Sequence, residues 1–172
     1  MPGVKLSSRD RFRIITRLLA RADPEAHRRL AAQAATDPSD DGRRYAFAAG
    51  AADPDAGAKR AQFELLLHDP KLPESWIEES LGPLNTVEHA AVTRELLPRA
   101  LTELPKLKRT RKIFFVNNWL AAFIGGQTNA RSLAAVREFL RQPGLDEDLR
   151  LKVLEHLDGL ERSVKITGRY AR

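Results

Sequence analysis

Four histidines, His27, His68, His89 and His156, are the side chains best suited to hold a metal or move a proton near neutral pH. None opens an H-E-x-x-H helix, and no two share a local metal-ligand spacing. His68 sits beside Asp69 and Pro70 at the end of a helical segment, where a cation complements the helix dipole. His89 and His156 each follow a Glu, which is ordinary on a charged helix. There is no cysteine, so thiolate zinc sites, disulfides and Cys-His pairs are excluded, which fits a reducing compartment. No G-x-S-x-G is present. "IGGQ", Ile124 to Gln127, lacks the Lys-Ser/Thr of a phosphate loop and reads as a helix terminus with a turn. The carboxylates of Glu78 and Glu79, and of Asp146, Glu147 and Asp148, fall at helix starts or on the surface. The second group suits the positive end of a last helix. Acting alone, the chain is not expected to be an enzyme.

Charge and hydropathy narrow the remaining classes. The formal net charge is +6, and the densest basic run is "KLKRTRK", Lys106 to Lys112. Such a run binds phosphate, or it is a solvated loop and helix start. Acidic residues on both sides and the lack of an interleaved aromatic favour the second, so a nucleic-acid partner is not expected. Next comes the most apolar stretch, "KIFFVNNWLAAFIGGQ", Lys112 to Gln127. A membrane span needs about 20 apolar residues. Ile113 to Gly125 gives only 13, with Asn117 and Asn118 in its middle, and asparagine is costly in lipid. No transmembrane segment is expected, and a soluble, cytoplasmic placement is the simplest expectation.

The elements that must position these residues are helices. Asp-Pro recurs at Asp23-Pro24, Asp37-Pro38, Asp53-Pro54 and Asp69-Pro70, in steps of 14, 16 and 16 residues. Asp is a good N-cap and Pro suits the first helical position, so each pair is expected to start one helix and stop the previous one. Two such units have the size of a helical repeat. Phe12, Ile15, Leu19 and Ala22 fall on one helical face, and Tyr45, Ala48, Ala49 and Ala52 on another. Small residues allow close helix approach. Phe63 with Leu66 or Leu67, Leu133 with Val136 and Phe139 or Leu140, and Val153 with Leu157, Leu160 and Val164 complete the inward faces. Asn85 and Glu88 have capping-box spacing, Pro98 should kink or break the helix that follows, and Gly144 is a natural C-terminal stop. No strand pattern is found. The expectation is an all-α α-solenoid of stacked antiparallel helical hairpins over 1–172, with short-helix repeats at 1–70 and longer helices at 71–172.

A family resemblance rests on a string of segments. They are "DPSDDGRRYAFAAGAADPDAGAKRAQFELLLHD", "ESWIEESL", "RKIFFVNNWLAAFIGGQ", "AAVREFL" and "LDEDLRLKVLEHLDGLERSVKI". Together they resemble the C-terminal helical domain of zinc aminopeptidases of the aminopeptidase N and puromycin-sensitive type, from about Leu6 to Ile166. No single motif is specific; the order carries the likeness. The resemblance implies a HEAT- or armadillo-like superhelix that closes over a catalytic domain and walls a peptide chamber. It also implies an upstream thermolysin-like domain whose H-E-x-x-H and further Glu bind zinc and hydrolyse the N-terminal peptide bond. None of those residues is in this chain, so its expected cofactor set is empty and zinc belongs to the parent enzyme. The expected partners are the catalytic domain and the peptide substrate. A free-standing helical scaffold that binds another protein is the alternative.

On this reading Phe114, Phe115, Trp119 and Phe123 fill the core between hairpins. Asn117 and Asn118 either face the chamber and bond peptide backbone or satisfy neighbouring helix ends. Arg111 and Lys112 either attract a peptide carboxylate or form a solvated helix start.

Overall fold

A computed structural model describes residues 5–170. The fold is all-α: among the described residues there are ten α-helices, one short 3-10 helix and no strand. The helices form two compact units, one ending at Glu88 and the other beginning at His89.

The first unit holds α1 (Ser8–Ala20), α2 (Ala26–Thr36), α3 (Asp40–Gly50), α4 (Ala56–His68) and α5 (Glu74–Leu84). Alternate helices stack, α1 on α3 and α3 on α5, while α2 packs on both α1 and α3. This layering of similar short helices is the pattern of helical repeats. α3 can sit at the centre because it presents Ala48 and Ala49, both buried, and lets its neighbours come close. Ile15, Leu19, Ala20, Ala26, Ala49 and Ala52 form a continuous core cluster, with Leu18 and Leu30 at its edge. α1 is held at its start by a complete capping box between Ser7 and Asp10.

The Asp-Pro pairs do stop helices, but they do not cap the next ones. Each Asp side chain accepts the N–H two residues on and so builds an Asx turn. Asp23 Oδ1 accepts from Glu25 at 2.9 Å, Asp37 Oδ1 from Ser39 at 3.3 Å, Asp53 Oδ1 from Asp55 at 2.8 Å and Asp69 Oδ1 from Lys71 at 2.8 Å. The following helices begin beyond the turn. Ser39 and Asp55 are the side-chain caps of α3 and α4, whereas Glu25 and Pro73 precede α2 and α5 without a side-chain cap. Asp37 also accepts from the Ser8 hydroxyl, which ties this turn to the start of α1. Hydroxyls of Ser39 and Ser8 hold its carboxyl below the usual range.

The second unit holds α6 (Ala90–Thr102), α7 (Leu104–Thr110), α8 (Ile113–Phe123), α9 (Ala130–Leu140) and α10 (Glu147–Tyr170). Only α10, at 24 residues, is long. α9 packs on α6 and α10, and α8 packs on α6, α7 and α10. The core is built from Leu97, Leu104, Phe115, Trp119, Leu120, Phe123, Val136 and Val153. Asp146 caps α10 by accepting the Leu149 N–H at 2.9 Å, and Glu147 and Asp148 lie in its first turn. That agrees with the acidic start read from the sequence.

Four local expectations are corrected. Asn85 does not open a helix: it is the buried C-cap of α5, its amide donates to the Leu81 carbonyl, and Val87–His89 form the 3-10 turn before α6. A side chain with both a donor and an acceptor serves a helix C-terminus as readily as an N-terminus. Of the kink or break expected at Pro98, the break does not occur: the residue lies inside α6, which continues to Thr102. Ala22 falls past the end of α1, exposed, in a left-handed conformation with φ 53°. Phe114 is 73% exposed and outside the core. Its neighbour Phe115 takes the inward position, since adjacent helical residues point about 100° apart.

Candidate functional site

The four residues singled out from the sequence lie at the start of α8 and on its flank. Arg111 ends α7 in extended backbone, and its guanidinium covers the Phe115 ring at 5.3 Å from the centroid. That cation–π contact folds Arg111 onto the helix. Lys112 occupies the N-cap position of α8, is exposed, and makes no side-chain cap. Asn118 is exposed, whereas Asn117 is half-buried. The Asn117 Oδ1 atom is shut off from solvent and has no hydrogen-bond partner among the described residues. An unpaired acceptor enclosed in this way carries a desolvation cost, and a peptide N–H cannot reach it in this arrangement. The helix therefore separates the four: Arg111 and Asn117 turn inward, Lys112 and Asn118 outward.

Trp119 anchors this helix. It is 1% exposed, its indole N–H donates to the Ala100 carbonyl at 3.0 Å, and its ring lies 4.5 Å from that of Phe123. A buried indole needs such an acceptor. A buried polar trio fixes the turn after α8. Gln127 donates to the Thr93 hydroxyl at 3.0 Å and accepts from the Ser132 hydroxyl at 2.7 Å. All three residues are buried, so the "IGGQ" turn is a joint between α6 and α9.

Sequence reasoning missed two features. One is an open cavity of about 520 Å³ along α9, lined by Ala130, Leu133, Ala134, Arg137, Glu138 and Arg141. Its charges are already paired: Arg137 meets Glu161 at 2.8 Å, and Arg141 meets Glu138 at 3.0 Å. The signal was the run of alanines ahead of arginines at one-turn spacing, which a helix surface shows without forming a cavity. The other is Lys59, 1% exposed, which donates to the carbonyls of Ala51 at 3.2 Å and Leu84 at 2.8 Å. Those are the C-terminal ends of α3 and α5, where the dipoles favour a cation. Burial still pushes the ammonium down to about 8, against the opposing pull of Asp53. No sequence pattern distinguishes this lysine from a surface one.

The histidines do not converge. His27 pairs with Asp53 at 3.1 Å and His68 with Glu64 at 3.4 Å, while His156 is half-buried and pushed down by desolvation. No group of three or more His, Cys, Asp or Glu stands close enough to hold a metal among the described residues. No helix among them is long and apolar enough to cross a membrane. Neither the models of known protein families nor the curated proteins give a match to this chain.

Proposed function

We propose that this chain is the non-catalytic C-terminal helical domain of a zinc aminopeptidase of the aminopeptidase N type. In that enzyme it covers the catalytic domain and walls the chamber that admits peptides. The observation that carries the reading is the order of elements in the second unit. The Asn118-Trp119 pair lies in apolar α8, the L-x-x-V-x-x-F series Leu133, Val136 and Phe139 lies in α9, and "LERSVKI" lies within the long final helix α10. An all-helical build with stacked short helices ahead of them supports it.

The residues of this chain do not fit a zinc site. It has no H-E-x-x-H, and its described residues hold no metal-binding group. On this proposal zinc, the activated water and the cleaved bond belong to the catalytic domain of the parent enzyme. On the same proposal the contribution of this chain is the shape of its packed helices.

The test is the native gene product, captured from source cells with an antibody against this chain, its mass and zinc content then measured. A zinc-bearing polypeptide several times larger than 19.3 kDa supports the proposal. A zinc-free protein near 19.3 kDa overturns it and leaves the independent scaffold, whose protein partner would then be sought.

A further inference from the structure

The α7–α8 corner combines uncompensated charge with exposed apolar surface. From Leu104 to Arg137 the sequence contains no acidic residue: the acids nearest the basic run are Glu103 before it and Glu138 well after it. The acidic flank expected on both sides is therefore missing on one. Five cations stand between Lys106 and Lys112. Two are occupied, Lys108 by Asp146 and Asp148, and Arg111 by the Phe115 ring. Lys106, Arg109 and Lys112 are exposed and have no acidic partner among the described residues. Directly after Lys112 come Ile113, 42% exposed, and Phe114, 73% exposed. Single exposed apolar residues need no explanation, but two adjacent ones at a helix start, beside unpaired cations, call for a partner.

We propose that this corner docks on an anionic lipid surface, with Ile113 and Phe114 entering the headgroup–acyl boundary and Lys106, Arg109 and Lys112 meeting the headgroups. The charge fits, because anionic bilayers attract clustered Lys and Arg. The apolar pair fits as well, because cations flanking a small apolar tip match the layering of the interface. A nucleic-acid strand fits less well: it would use the cations and stack on Phe114, but Ile113 offers it nothing. The docking is peripheral and agrees with the lack of any helix long and apolar enough to span a bilayer among the described residues. It does not rest on the aminopeptidase reading.

The experiment is co-sedimentation of the 172-residue chain with phosphatidylcholine vesicles, with and without phosphatidylglycerol, at low and physiological ionic strength. Binding is expected only with phosphatidylglycerol and should weaken with salt. Phe114→Ser should lower it about tenfold, from the lost apolar contact. The triple change Lys106→Gln, Arg109→Gln and Lys112→Gln should lower it about a hundredfold. All four side chains are exposed, and unchanged circular dichroism melting would show that the variants fold. No binding to anionic vesicles at low ionic strength overturns the proposal. So does a Phe114→Ser chain that binds as well as its parent. Tighter binding to a single-stranded oligonucleotide, lost in the triple variant, reassigns the corner and overturns it too.

Discussion

The Lys59 ammonium donates to the Leu84 carbonyl at 2.8 Å from a position that is 1% exposed. With the Ala51 carbonyl as second acceptor, one buried cation joins the C-termini of α3 and α5. The first unit should therefore gain stability as pH rises. Folding lowers this group to about 8, whereas an unfolded lysine titrates near 10.4. Between those values the unfolded chain binds more protons, so unfolding becomes harder with increasing pH. The effect is on the order of 2–3 kcal/mol, complete above the unfolded value and absent below the folded one. Lys59→Met removes it. Urea denaturation between pH 7 and pH 10 should show wild type gaining about that much relative to the variant. Parallel stability curves would mean that Lys59 is solvated in the native state.

Ala22 and Gly42 make opposite predictions about backbone. Ala22 has φ 53°, a left-handed conformation that suits glycine at a helix end. Ala22→Gly should stabilise the chain by about 0.5–1 kcal/mol, the relief of strain exceeding the added unfolded-state entropy. A Cβ on Gly42 would lie 2.1 Å from the Asp37 carbonyl oxygen, inside the Asx turn that precedes α3. Gly42→Ala should cost about 1–3 kcal/mol, because backbone must move. Thermal melts of the two variants should shift in opposite directions.

The same turns show what was legible in the sequence. Asp-Pro marked the ends of α1 to α4, because proline and the residue before it resist helix locally, whereas the end of α5 at Asn85 carries no such pair. The caps were misplaced, since an Asp side chain bonds an N–H two residues on as well as a helical N-terminus. Inward faces at helical spacing were legible at Phe12, Ile15 and Leu19, and at Val153, Leu157 and Leu160, all buried. Lys59 was not legible, because its burial depends on the ends of two other helices, one of them 25 residues away at Leu84. Of the α8 candidates, the separation of Asn117 from Asn118 followed only once the phase of the helix was known.

Phe114 and Phe115 test that phase directly. Phe115 is 1% exposed and lies 6.0 Å from the Trp119 ring, whereas Phe114 is 73% exposed. Phe115→Ala should cost about 3–5 kcal/mol, the range for a core aromatic. Phe114→Ala should fall within about 0.5 kcal/mol of the parent. Guanidinium denaturation measures both. Equal costs would place both rings in the core and would also remove the basis for lipid docking.

The Gln127 trio should behave as one unit. Ser132→Ala removes the donor to Gln127 Oε1, and Thr93→Val removes the acceptor of Gln127 Nε2. Either change leaves a buried amide atom unpaired and should cost about 1–3 kcal/mol. The further change Gln127→Leu removes the amide that suffers, so adding it to the Ser132→Ala, Thr93→Val background should recover part of the loss. The triple variant should therefore be more stable than the sum of its single changes predicts, by about 0.5–3 kcal/mol. Strict additivity in denaturant melts would mean that water reaches the joint between α6 and α9, and that Gln127 is satisfied without its two hydroxyl partners.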